Sequence, residues 1–493
     1  MFSTRRKRFA WCGATGAAAV ALLVSGCGEL AGVVRNKVTT HGGGQTVWLG
    51  ARRPNPADVL IPRGYHIEAV ATGLTYPTGI VFDDQNRVYV VESGYAYVDH
   101  YATPRIVRIE PGGKHVVVAS GERRHTPWTG ADFYRGNFIV SEGGNPGRIS
   151  RVTMDGQITP IVDGLPSKGD HHTDRPAVGP DGWIYFGAGA ITNSGVVGED
   201  NEIFGWLHAH PSLHDIPAQD IVLAGENFNS QDPRVPLPIA RESTGAFKPF
   251  GHSSQPGEVI KGGLPATSAI MRVRPEGGPL QLVAWGIRNP FGITFAKTGQ
   301  LYATEHGYDA RGSRPIAKAP DYLWRIQQGR WYGFPDFSGD RPVTDSRFKP
   351  KEGPQPKFLM VSHPKIPPHP LAAFKPHAAA MGFDLGRTGF GGAGEVYVAL
   401  FGDVTPATGV VDAPAGFKVV RVNMASGAVH DFAVNRAAGP ASKVGGGGLE
   451  RPIDVKFDRT GREMYVLDFG VMTVPAAPSP KRHTGILWRI TKL

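Results

Sequence analysis

The chain has 493 residues, 41% hydrophobic and 19% charged, which excludes a disordered or membrane-embedded chain and leaves ample length for a buried core. Its 66 Gly and 42 Pro show no Gly-X-Y period, so they favour turns and short strands over long helices. The net charge of +10 includes Arg5, Arg6, Lys7 and Arg8 and no later basic run, so no nucleic-acid partner is expected; the only cysteines, Cys12 and Cys27, exclude a disulfide scaffold, a CxxCH haem and thiolate metal clusters.

Residues 1–26 have a basic start and an apolar stretch over Ala17–Val24, as a secretory signal does. Small residues run into Cys27 in a pattern that resembles the bacterial lipobox, whose cysteine is acylated and becomes the mature N-terminus. That implies a lipid anchor at Cys27, a membrane contact through it, and a place on the periplasmic or other extracytoplasmic side of the bacterial envelope. A plain signal peptide with a chance cysteine stays open. Residues 27–60, with Gly42–Gly44, Pro54 and Pro56, read as a tether. No later stretch approaches the ~18 consecutive apolar residues of a spanning helix.

From residue 61 onward one pattern recurs: an apolar strand, a polar turn, and a second strand rich in Tyr and Val. The copies begin at Thr78, Thr129, Pro176, Phe291, Met381 and Pro452. Each is followed by an apolar-x-Arg-apolar motif, carrying Arg108, Arg151, Arg272, Arg325, Arg421 and Arg489 in turn. Six alternations of two motifs predict an all-β, six-bladed β-propeller over 61–493. These arginines are expected to form structural pairs. Residues 190–268 interrupt the third blade, and an insertion of that length is expected to cover the mouth of the ring.

The start of each hairpin's first strand and the end of its second lie at one end of the blade. His171-His172, Arg288-Asn289 and Glu450-Arg451 therefore share a face with Glu305-His306-Gly307, where a propeller site is expected.

The run Gly286-Ile287-Arg288-Asn289-Pro290-Phe291-Gly292, followed by Glu305-His306-Gly307, Asp321-Tyr322-Leu323-Trp324 and Glu450-Arg451-Pro452, resembles the glucose/sorbosone dehydrogenase family from about Pro62 to the C-terminus. Its members are six-bladed quinoproteins that bind pyrroloquinoline quinone (PQQ) with calcium. The resemblance implies oxidation of a sugar or related alcohol or aldehyde, with His171 as general base and an external electron acceptor. It implies cofactor contacts from Arg288, Asn289, His306 and Arg451, and calcium held by the carbonyls of Gly307 and Tyr308 with Asp321. The chain departs from the family pattern in a longer run from Glu305 to Asp321, at Ile453, in Phe401–Pro406 where a basic residue is expected, and at Gly189-Ala190.

Read from residues alone, His171-His172 beside Asp170 and Asp174 could equally be a polar turn. His208, His210 and His214 with Asp215 have spacing suited to zinc or copper, or to a solvated loop. Gly389–Gly394 matches GxGxxG but precedes a strand, so it is not a dinucleotide site. Two rivals stay open: a calcium-dependent propeller hydrolase of lactonase type, which would want more inward carboxylates, and a non-catalytic binding propeller.

Overall fold

A computed structural model describes residues 40–45, 47–95, 102–167, 169–235, 240–475 and 477–493; Cys27 and the signal segment lie outside them. From His41 onward the chain is one compact unit. Six four-stranded antiparallel sheets follow one another along it, one carrying a fifth strand. The first strands are Pro77–Phe82, Trp128–Tyr134, Thr173–Val178, Ile293–Phe295, Ala380–Leu385 and Pro452–Phe457, and each touches the next in a closed ring. This is the six-bladed propeller. No helix among the described residues is long and apolar enough to cross a membrane.

Burial explains the repeat. Strands near the axis are covered on both faces, so Pro77–Phe82 is buried throughout and reads as an unbroken apolar run. Outer strands such as Val429–Asn435 and Ile158–Leu165 are half exposed and carry mixed sequence. The last blade is closed by the N-terminal strand Tyr65–Leu74, which pairs with the C-terminal strand Gly485–Lys492. Residues 41–45 and 47–60, expected as part of a tether, lie along the propeller instead. Val59–Leu60 extends the fifth blade, Gly43 N–H donates to Asp403, and Arg52 pairs with the buried Asp468.

The acids that end several second strands fasten the start of the same blade. Glu92 accepts the Thr75 N–H (2.6 Å) and Glu305 the Arg288 N–H (2.6 Å), while Asp468 accepts from Glu450 and Arg451 (2.8 and 2.9 Å). Four of the repeat arginines have partners: Arg108 on Glu110, Arg272 on Asp181, Arg421 on Glu395, and Arg489 on Glu68 and Glu463.

Arg175 of the third blade reaches across the axis to Asp454 of the sixth and to the Thr78 carbonyl of the first (2.6 Å). Glycine makes room for it: a Cβ on Gly382 would lie 2.7 Å from this guanidinium and 2.2 Å from Asp454. The same ring holds a cavity.

Candidate active site

That cavity, of about 260 Å³, is lined by His171, His172, Arg288, Asn289, His306, Gly307 and Asp321, which the sequence places on one face. The segment carrying Arg288 and Asn289 leads from the outer strand of the third blade, Gln281–Trp285, into the fourth. Both residues are buried. The Arg288 backbone is held by Glu305, whose other oxygen accepts from Trp324 Nε1 (2.7 Å); burial pushes this carboxyl up to about 8. The Arg288 guanidinium donates to the Asn193 carbonyl (2.8 Å), to Asn193 Oδ1 (3.0 Å) and to the Gly307 carbonyl (2.7 Å). Its nearest carboxylates, Asp309 and Asp170, stand at 3.6 and 3.8 Å. Its hydrogen bonds therefore go to neutral acceptors, with two carboxylates at ion-pair distance beyond them.

The structure brings the predicted base close to this charge. His171 Nδ1 lies 3.0 Å from the Ala190 carbonyl, which fixes Nδ1 as the protonated nitrogen and Nε2 as the basic one. Burial first, then Arg288 and His306, hold its pKa well below 6.5. His306 stacks on Phe291 (5.8 Å between ring centres) and is pushed down to about 4 by burial and by Arg288. Asn289 links them to the third blade: it accepts from His306 Nδ1 (2.9 Å) and donates to Asp174 (2.9 Å). Burial raises the Asp174 carboxyl well above its ordinary range. His172 also lines the cavity, 3.4 Å from Ser167 Oγ, with burial holding it at about 4.

A second half of the cavity surrounds Arg311, which the sequence reading missed. Its guanidinium bonds Asp170, Asp200 (2.6 Å) and Asp309 (3.1 Å). Asp309 also faces His377 Nδ1 (3.3 Å). Burial would raise Asp309, but Arg311 foremost, with His377 and Arg288, keeps its carboxyl well below the usual range. Burial lowers His377, and Asp309 reverses this to a net rise. Arg311 and His377 thus bring cations to the cavity from positions outside the family motifs. Asn193, also missed, joins the two halves: besides accepting from Arg288, it donates to the carbonyls of Asp309 (2.8 Å) and Arg311 (3.1 Å). Asp200, Ile203, Phe204 and Trp206 place part of the third-blade insertion in the wall.

Two predicted residues are not in this lining, and for Tyr308 the expected donor is its carbonyl, not its side chain. Arg451 is fully buried outside the lining; its Nη1 donates to the carbonyls of Gly402 and Asp403 (both 3.1 Å), and its guanidinium lies over Phe401 and Phe417. Tyr308 directs its side chain into the core, stacked on Phe334 with its hydroxyl on the Phe337 carbonyl (2.9 Å). Of the implied calcium donors, the Gly307 carbonyl accepts from Arg288 and Asp321 Oδ1 accepts the Gly307 N–H (2.7 Å), while the buried Asp321 Oδ2 has no hydrogen-bond partner. Burial pushes Asp321 up to about 6.

The insertion histidines do not converge. His210 meets Asn145, His214 Nδ1 bonds the Ser212 carbonyl, and Asp215 is buried on Ile191, Thr192 and Thr267. No cluster of His, Cys, Asp and Glu suited to a metal ion occurs among the described residues.

No protein-family model and no characterised protein matches the sequence. Solved structures do match the fold. The PQQ-bound aldose sugar dehydrogenase of Streptomyces coelicolor is 15% identical over 88% of this chain and 99% of its own, with a TM-score of 0.51. The holo PQQ domain of pyranose dehydrogenase from Coprinopsis cinerea gives 16%, 90%, 98% and 0.52. A calcium structure of a Trichoderma reesei enzyme of carbohydrate-active family AA12 gives 14%, 91%, 100% and 0.52. The structural neighbours are thus of the kind the sequence motifs resemble. At these identities the likeness establishes the shared six-bladed fold.

Proposed function

We propose that this chain is a quinoprotein dehydrogenase that oxidises a sugar or related alcohol or aldehyde, with PQQ as cofactor and His171 as base. One observation carries the reading: an imidazole with a fixed tautomer, kept neutral by its surroundings, lines a cavity beside a guanidinium whose hydrogen bonds go to neutral oxygens. The residues present fit the quinone. Arg288 and Asn289 offer donors to its oxygens, and Phe291, Met381 and Phe401 offer apolar surface to its flat rings. When bound, the quinone supplies a hydride acceptor. His171 Nε2 takes the hydroxyl proton as hydride leaves the adjacent carbon, and the Ala190 carbonyl stabilises the imidazolium that forms. Arg288 favours negative charge on a neighbouring oxygen.

Of the donors implied for calcium, Asp321 Oδ2 is buried and unpaired, whereas at the Gly307 carbonyl the ion would meet the Arg288 guanidinium. The hydrolase rival wants free inward carboxylates, whereas Asp170, Asp200 and Asp309 are engaged with Arg311. We further propose that the chain is lipid-anchored through Cys27 on the outer side of a bacterial membrane and passes electrons to an external acceptor.

The test is dye reduction by the purified protein with PQQ and a panel of aldoses. Sugar-dependent reduction that needs PQQ is the expected result. Lactone hydrolysis without PQQ would replace this reading with the hydrolase.

A further inference from the structure

Residues 41–45 pack between the ends of the fifth and sixth blades, with Gly42 and Gly43 buried. The segment is held through its backbone. The Gly43 N–H donates to both oxygens of Asp403 (2.9 and 3.1 Å), the Gly42 carbonyl accepts from Lys443 Nζ (2.6 Å), and the Gln45 carbonyl accepts the Val474 N–H (2.8 Å). Side chains do not fit at the first two glycines. A Cβ on Gly42 would overlap Thr405 Oγ1 and Asp403 Oδ1, and one on Gly43 would overlap the Phe417 ring, whereas one on Gly44 would meet Val474 at 3.1 Å. Glycines that composition marks as loose chain here permit close approach.

What the segment touches is the back of the cavity wall. The run 401–408 follows the second strand of the fifth blade, Glu395–Leu400, and its residues Phe401, Gly402, Val404 and Ala407 line the cavity. Asp403 is buried behind that lining, where its carboxylate also accepts the Ala415 N–H (3.1 Å) and Thr405 Oγ1 (2.9 Å). Arg451 donates to the Gly402 and Asp403 carbonyls and lies over Phe417, the ring against which Gly43 packs. On the sixth-blade side, the stretch that begins at Val474 carries Pro478 into the same lining. The run 401–408 forms no strand, so its position depends on contacts of this kind.

Resting on the dehydrogenase reading, we propose that residues 41–45 are a strap that positions the 401–408 wall, and that cofactor affinity depends on it. Gly43, Asp403 and Phe417 are positioning residues. Phe401 is one of the surfaces offered to the quinone rings, and a wall ordered before binding spares the cofactor the cost of ordering it, worth about tenfold in affinity for one or two side chains.

The experiment is hydrogen exchange read by mass spectrometry on the full chain without PQQ, followed by quinone titration of the same variants. Gly43→Ala is expected to speed exchange across 401–408 about tenfold and to weaken PQQ about tenfold, with unchanged circular dichroism. Adding Phe417→Leu removes the ring atoms that the new methyl would strike. The double variant should return both readings to within about threefold of the parent, which a general loss of stability would not allow. Gly44→Ala should stay within about twofold of the parent in both. Lys443→Ala, at an exposed side chain, frees the Gly42 carbonyl and should speed the same exchange about threefold even if Gly43→Ala does not fold. Unchanged exchange in Gly43→Ala, or in Lys443→Ala where Gly43→Ala does not fold, overturns the strap, as does a double variant that recovers nothing. Faster exchange in variants of a parent that does not bind PQQ sinks the dehydrogenase reading and leaves the strap standing. Faster exchange with PQQ affinity unaltered overturns the dependence of the cofactor on the strap and leaves that reading untouched.

Discussion

The two halves of the cavity differ in origin and in electrostatics. The half around Arg288, Asn289, His306 and His171 is made by the repeat, at positions where strands begin or end. Its guanidinium bonds neutral oxygens, and its histidines are held unprotonated. The half around Arg311 is made by the insertion and by the long loop before Asp321. There one guanidinium bonds three carboxylates, and a histidine is driven towards its charged form. A repeat scaffold thus supplies a neutral base beside a guanidinium hydrogen-bonded to neutral oxygens, while irregular segments supply an ion-paired wall. The first arrangement suits proton transfer and an anionic cofactor; the second suits recognition of hydroxyls.

The sharpest way to break this contrast is to remove the base. His171→Ala is expected to lose about 10²–10⁴-fold in turnover, the usual cost of a missing general base, while PQQ still binds. His172→Ala should lose far less, because its Nδ1 faces Ser167 within the third blade. Swapped phenotypes would move the base by one residue; full activity in both would remove histidine from the mechanism. The pH profile provides a second check. A base works deprotonated, and the pKa of His171 is lowered, so kcat/KM should stay level as pH falls through 6.5 and drop only below it. An acid limb centred at 6.5 or above would show that burial and Arg288 together do not lower the imidazole of the working base.

The next effect concerns the second half. Arg311→Gln leaves Asp170, Asp200 and Asp309 facing one another in a partly desolvated space. Removing one partner of a buried ion pair can cost about 3–5 kcal/mol, and the partial exposure of Arg311 puts the expected loss nearer about 2 kcal/mol. Thermal unfolding should show it, together with a raised KM for sugar. A variant as stable as the parent would mean the three carboxylates do not depend on Arg311.

These halves were unequally legible in the sequence. Strands buried on both faces announce themselves as apolar runs, so the blades could be read, and the hairpin geometry placed His171, Arg288, Asn289 and His306 on one face. The outer strands, half exposed, left no such trace, and the closure by Tyr65–Leu74 depends on a pairing between the chain's two ends. The resemblance implies a cofactor contact from Arg451, yet its guanidinium donates to the carbonyls of Gly402 and Asp403. Position along a repeat fixes the face; it does not fix the rotamer. Arg311 and Asn193 lie in irregular segments where no period exists to place them. The one available signal for Arg311 was the extra length between Glu305 and Asp321.

The smallest effect expected is that of calcium, and it bears on both halves at once. The Gly307 carbonyl accepts from Arg288, Asp321 accepts the Gly307 N–H, and Asp309 is bonded by Arg311 and His377. Calcium needs six to eight oxygens at about 2.3–2.6 Å. Here one Asp321 oxygen is unpaired, but the ion would stand against the Arg288 guanidinium at the Gly307 carbonyl and compete with Arg311 for Asp309. Protein stripped with EGTA and reconstituted with PQQ should therefore bind the quinone within about twofold of calcium-loaded protein, since exchanging one cation for another changes little net charge. Quinone absorbance under calcium titration measures this directly. A tenfold or greater gain on adding calcium would show that the Arg288–Gly307 bond opens to admit the ion. In that case Arg288→Lys, which cannot reproduce the fork across Asn193 and Gly307, should bind calcium more tightly than the parent.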